Sequence, residues 1–146
     1  MTVAQRSARL AAMGKRPLIL IGAKDGDHVT IEATSNIQNG WRTAGVAVRC
    51  GVWTGHFTGQ FLRGELAKFG KEVEYLLEDP KRPAQLRGGE HYLELKFVDQ
   101  GHGKVLARGH AQESLGTKTA LEFEFVVERG ALSGIAKALI ESDTTE

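Results

Sequence analysis

Three consecutive segments between His91 and Val127 alternate between apolar and mostly polar side chains. Such a period of two places one face of a β-strand in a core and the other face in water. Three of these strands in succession are typical of a half-buried antiparallel sheet. The apolar face of the predicted sheet comprises Leu93, Leu95, Phe97, Val105, Ala107, Ala111, Leu121, Phe123, Phe125 and Val127.

The remainder of the chain supplies further strands and two helices. Strands are predicted at Leu18–Ile21, His28–Thr34 and Trp41–Val52, followed by a glycine-interrupted strand that ends near Phe61, whereas residues 35–40 are polar and predicted to form a loop. Apolar residues at spacings of three and four predict a long helix over residues 62–78 and a closing helix over residues 131–142. We therefore predict an α+β fold: one curved antiparallel sheet of six or seven strands, with its apolar side covered by the two helices.

Size and charge limit the function classes. A chain of 146 residues with 41% hydrophobic and 25% charged residues suits one domain, predicted over residues 17–146. Residues 1–16 contain four cations and no acid, and they lack the apolar core of a signal peptide, so a flexible basic tail and a cytoplasmic location are expected. A net charge of +1 without a basic stripe argues against nucleic acid as a partner, and no apolar run predicts a membrane span.

The polar face of the predicted sheet contains charges of both signs. A three-residue loop at residues 100–102 places Glu94 opposite Arg108, and Tyr92 opposite His110. Centring the next loop on residues 115–117 pairs three cations of one strand with three glutamates of the next. These pairs are Lys104 with Glu128, Arg108 with Glu124, and His110 with Glu122.

Motifs for metal binding and catalysis are not found. The five histidines lack metal-ligand spacing, and His91 and His110 form the one pair that neighbouring strands could bring together. The single cysteine, Cys50, is most simply a small core residue. We therefore expect no metal, no organic cofactor and no catalytic residue.

Two surfaces remain as candidate sites. The first is the charged sheet face, proposed as a partner-binding surface and composed of Tyr92, Glu94, Arg108, His110, Glu122 and Glu124. The second is an aromatic set that packs in the core or else lines a pocket, composed of Trp41, Trp53, His56 and Phe57.

Several segments of the chain resemble bacterial immunity proteins of the WapI type. They are residues 57–61, the helix over residues 66–77, the strand over residues 92–97, the turn at residues 101–103, the strand over residues 121–125 and the closing helix with Leu132 and Leu139. The resemblance implies a non-enzymatic protein that binds and neutralises a polymorphic toxin. Because this chain is nearly neutral, such a toxin is either not strongly basic or meets acidic side chains gathered in one patch. The alternative function is that of an orphan enzyme or a small-ligand-binding protein, with a pocket near Trp53, His56 and Phe57.

Overall fold

Eight strands form two separate antiparallel sheets of four strands each. The computed structural model describes residues 18–87, 93–113 and 119–143, apart from the side chains of residues 34–38, so the predicted basic tail and Tyr92 lie outside the described residues. The first sheet is ordered β1-β2-β3-β4 and the second β5-β6-β7-β8. The first contains β1 (Ile19–Gly22), β2 (His28–Gln38), β3 (Trp41–Cys50) and β4 (Trp53–Leu62), and the second contains β5 (Ala84–Arg87), β6 (Leu93–Gly101), β7 (Lys104–Gln112) and β8 (Ala120–Glu128).

A helix follows each sheet in the chain. Helix α1 (Glu65–Glu78) follows β4, and a 3₁₀ turn (Arg129–Ala131) leads from β8 into helix α2 (Leu132–Asp143). The same succession of four antiparallel strands and a helix therefore occurs twice, although the sequence shows no repeat. The α+β class is confirmed.

The prediction of a single curved sheet of six or seven strands is wrong, because helix α1 interrupts the run of hairpins between β4 and β5. No strand of the first set pairs with a strand of the second among the described residues. Strand β5 was not predicted, since four residues after Pro83 are too few to show a clear period, yet Ala84 and Leu86 of β5 are buried.

Several predicted boundaries also differ from the structure. Strand β2 continues through the polar residues 35–38, which were predicted to form a loop, because pairing with β3 resumes at Ile37 after an irregularity. Pairing with a neighbouring strand thus overrides the weak strand propensity of these residues. Leu62 belongs to β4, opposite Trp41, so α1 begins at Glu65 instead of residue 62.

One hydrophobic core joins both sheets and both helices. The predicted core residues Leu93, Leu95, Phe97, Phe123 and Phe125 are buried, and Leu121 is partly buried against them. The ring of Phe69 on α1 meets Phe97 of β6 edge to face, with centroids 5.2 Å apart. The predicted apolar face of the second sheet is therefore the face that packs inward.

Candidate functional site

Charged residues pair across β7 and β8 on the outer face of the second sheet. Arg108 Nε lies 3.3 Å from Glu124 Oε2, and His110 Nδ1 lies 3.8 Å from Glu122 Oε1. Lys104 also pairs with Glu128. The strand register matches at all three positions, so the predicted pairing of β7 with β8 is confirmed. Because the glutamates and Arg108 are largely exposed, while Lys104 is half exposed and His110 is 32% exposed, each pair contributes about 0–1 kcal/mol to stability.

The predicted pairing of β6 with β7 is wrong by two residues. Glu94 lies opposite His110, and Lys96 lies opposite Arg108. The difference arises at the turn between the two strands. Gly101 pairs with Lys104, so the loop contains two residues instead of three. One of these two residues, His102, adopts a positive φ of 55°. A shift by an even number of residues leaves every side chain on its predicted face.

An apolar row crosses the same outer face. Val98, Leu106 and Val126 are register partners on β6, β7 and β8. The side chain of Val126 is 55% exposed. This row was not predicted, although the apolar residue at position 106 of the polar face was a signal for it.

The four residues of the aromatic set do not lie together. Trp53 pairs with Cys50 at one end of β4, whereas Trp41 pairs with Leu62 at the other end. Nine residues separate these pairs along β4, which corresponds to about 30 Å in an extended strand. Trp53 and Phe57 share one face of β4, and His56 lies on the opposite face because side chains alternate along a strand.

Trp53, His56 and Phe57 nonetheless line a common cleft, which we call the aromatic cleft. It has a volume of about 470 Å³ and opens between the first half of β4 and the adjoining ends of β7 and β8. Trp53 is 66% exposed there, and Phe57 is partly buried against the core. The remaining lining residues are Val48, Thr54, Gly55, Ala111, Gln112, Glu113, Thr119, Ala120 and Leu121.

A second depression, which we call the acidic cleft, is also lined by Trp53. Its volume is about 550 Å³, and its lining includes Cys50, Arg108, Glu122 and Glu124. Trp53 and Leu121 line both clefts. The Cys50 thiol donates a hydrogen bond to the backbone carbonyl of Glu124 at 3.4 Å, which ties the β3–β4 turn to β8. The two surfaces predicted separately from the sequence therefore meet at Trp53.

The described residues offer little that suits metal chemistry. Within residues 18–87, 93–113 and 119–143, no group of three or more His, Cys, Asp or Glu side chains could hold a metal ion. His91, the suspected partner of His110, lies outside the described residues. None of the helices in the described part of the chain is long and apolar enough to cross a membrane.

Comparison with known proteins identifies a matching family and a solved structure with a similar fold. A model of the immunity protein WapI-like family matches residues 19–141. A search of curated proteins found no match. A chain in the crystal structures of Trypanosoma bruciei MRP1/MRP2 is similar to this one, with a TM-score of 0.52 and 9% sequence identity over 96% of this chain and 90% of that chain. At so low an identity the likeness concerns the fold alone.

Proposed function

The chain belongs to the immunity protein WapI-like family, and from this membership we propose that it binds and neutralises a protein toxin. The family match over residues 19–141 is the observation that carries the proposal. In this proposal the protein acts in the cytoplasm, has no catalytic activity of its own and inhibits by occupying a surface of the toxin. The proposal keeps the division into a basic tail, residues 1–16, and one domain over residues 17–146.

We propose the outer face of the second sheet as the surface that meets the toxin. Glu122, Glu124 and Glu128 lie at outward positions of β8, with Val126 between Glu124 and Glu128, so three acids lie on one strand although the chain as a whole is nearly neutral. Glu94, Arg108 and His110 lie on the neighbouring strands of the same face. The acids gathered on β8 support this proposal for a basic toxin, whose cations would meet them beside Arg108 and His110 of β7. Tyr92, which precedes β6, was predicted to be part of this surface and lies outside the described residues.

The proposal is tested by expressing the open reading frames adjacent to the gene of this protein, one of which is expected to encode a toxin domain that stops bacterial growth. Co-expression is expected to restore the growth of a bacterial host that the toxin domain stops, and the two proteins are expected to elute together in size-exclusion chromatography. A neighbouring toxin domain that stops growth despite co-expression, and that elutes separately, would contradict the immunity function.

The surface is tested by reversing charges and measuring the rate at which each variant associates with the toxin domain. The variant Glu122→Lys/Glu124→Lys is expected to fold normally and to associate with the toxin more slowly, with a loss of affinity that shrinks as salt rises. Glu74→Lys/Glu78→Lys is the matched control, because both residues are exposed on helix α1. Equal association rates for the two double variants would remove the charged face from consideration.

The aromatic cleft favours a second candidate function. Its volume of about 470 Å³ falls within the range of about 300–1,000 Å³ typical of small-molecule sites, and three of the four residues predicted for a pocket line it. If this protein binds a small ligand, at least one compound of a metabolite library should raise its melting temperature. The Trp53→Ala variant should not show that rise. A library without any such compound would count against this alternative.

A further inference from the structure

We propose that the aromatic cleft and the acidic cleft act together as one groove for an extended, basic segment of the partner, with apolar residues between its cations. This inference deepens the proposed immunity function, on which it rests. In this proposal the groove makes the closest contact with the toxin, and its lining determines the chemistry of the toxin segment that binds there. The groove is centred on Trp53 and Leu121, the two residues common to both clefts.

The floor of the groove is apolar and includes a large exposed ring. Val48, Phe57, Ala111 and Leu121 line the aromatic cleft, and Trp53 stands between it and the acidic cleft. With 66% of its surface exposed, Trp53 is among the large hydrophobic residues that the described fold leaves in contact with solvent. Burial of such a ring by a partner is the usual origin of a binding hot spot. An apolar side chain of the partner would therefore contact Trp53.

The rim of the groove is acidic. Three glutamates line the two clefts, namely Glu113, Glu122 and Glu124, and the one Lys or Arg among the lining residues is Arg108. Arg108 is already paired with Glu124 at 3.3 Å, and the side chain of Glu122 is 87% exposed. Charge complementarity therefore favours a segment with lysine or arginine and disfavours an acidic one.

The edges of the groove suit an extended backbone. Strands β4 and β8 each stand at the end of their sheet's strand order. Cys50 and Trp53 flank a two-residue turn, so they form a hydrogen-bonded pair, and Thr54 and His56 direct their backbone groups away from β3. The bond from the Cys50 thiol to the Glu124 carbonyl shows that the outer edge of β8 accepts hydrogen bonds. An extended segment between these edges could hydrogen-bond to either strand.

Binding of the neighbouring toxin domain to three variants tests the groove. Trp53→Ala is expected to weaken binding by about tenfold or more, mainly through faster dissociation. Glu122→Lys/Glu124→Lys is expected to slow association. Tyr75→Ala is the control for loss of an exposed ring, since Tyr75 lies on helix α1 and is 46% exposed. If the wild-type protein binds and Trp53→Ala binds equally well, the groove is wrong while the immunity function stands.

Carbodiimide cross-linking of the wild-type complex identifies the partner's side chains. This reagent joins a carboxylate to a lysine in direct contact. We expect Glu113, Glu122 or Glu124 to be joined to lysines of the toxin domain, as read by mass spectrometry. Cross-links from the glutamates of helix α1 alone would overturn the proposed position of the basic segment.

A peptide probe tests binding at the groove even if the toxin domain does not bind. The Trp41→Phe variant leaves Trp53 as the one tryptophan, and it is titrated with a peptide of alternating lysine and leucine. A saturable blue shift of Trp53 emission is expected, and Glu122→Lys/Glu124→Lys should abolish it. No shift, or an equal shift with a peptide of alternating glutamate and leucine, would overturn the inference.

Discussion

At the scale of single residues, a glycine of the second sheet packs directly against an aromatic ring. Gly109 of β7 lies opposite Phe123 of β8. A Cβ atom added to Gly109 would stand 2.1 Å from Cζ of Phe123, far inside any normal contact. Phe123 also stacks on Phe125, with ring centroids 6.1 Å apart, which limits where its ring can move. A glycine in a strand interior often marks such a close approach.

We predict that Gly109→Ala destabilises the protein through this clash, and that the loss becomes smaller in a Phe123→Ala background, because the two residues share one space. Phe123→Ala alone should lower the free energy of unfolding by about 3–5 kcal/mol. Denaturant unfolding of both single variants and the double variant measures the coupling. Gly45→Ala is the control, since an added Cβ there meets nothing within 4 Å. Additive effects at positions 109 and 123 would contradict the packing described here.

At the scale of elements, a second glycine sets the approach of the two helices. The sequence indicates that Gly70 weakens helix α1 relative to alanine. The structure shows why a larger residue does not fit: an added Cβ would lie 2.8 Å from Cγ1 of Ile140 and 2.9 Å from the carbonyl oxygen of Ala136, both on helix α2. Gly70 is buried, so α2 packs directly on the backbone of α1.

Two glycine-to-alanine variants separate helix propensity from helix packing. Gly70→Ala should lower the melting temperature, because forcing the helices apart outweighs the gain in propensity of about 1 kcal/mol. Gly134→Ala in helix α2 meets nothing within 4 Å, so it should be neutral or stabilising. Thermal unfolding followed by circular dichroism measures both effects. A rise in melting temperature for Gly70→Ala would show that the helices do not pack as closely as described.

At the scale of the whole molecule, a buried ion pair connects the end of the chain to its first half. Arg42 Nε on β3 and Asp143 Oδ1 on α2 are 3.5 Å apart, and the two side chains are each 1% exposed. The other carboxylate oxygen of Asp143 accepts a hydrogen bond from the backbone N–H of Ala67 at 3.1 Å. The residue before α1, Gly64, has no side chain to cap that helix, so Asp143 supplies an acceptor for its first turn. Asp143 thus ties together β3, α1 and α2.

We predict that Asp143→Ala lowers the free energy of unfolding by about 3–5 kcal/mol, because the charge of Arg42 would remain buried without this carboxylate. Asp143→Asn should lose less, since an amide oxygen can still accept the bond from Ala67. Glu141→Ala serves as the control, because Glu141 is exposed and pairs with Lys137 at 3.9 Å. Denaturant unfolding that shows equal stability for Asp143→Ala and Glu141→Ala would refute the role of the buried pair.

Local patterns predicted the faces of the second sheet and the presence of both helices, although α1 begins three residues later than predicted. The period of two identified the buried residues of β6, β7 and β8, and the spacing of three and four identified α1 and α2. The pairing of β7 with β8 was also predictable, because a loop centred on residues 115–117 brings opposite charges to matching positions of the two strands. Each of these properties follows from the backbone geometry of one element, or of two strands joined by one turn.

Long-range packing set the features that the patterns did not predict. The division into two sheets depends on which strands pair across α1, and the short strand β5 exists because β6 offers it a partner. The burial of Arg42 depends on Asp143, which lies 101 residues further along the chain. Trp53 lines one cleft with Glu122 and Glu124 because the end of β3, at Cys50, is tied to β8. No periodicity encodes these encounters, since they arise between surfaces that come together only when both sheets and both helices share one core.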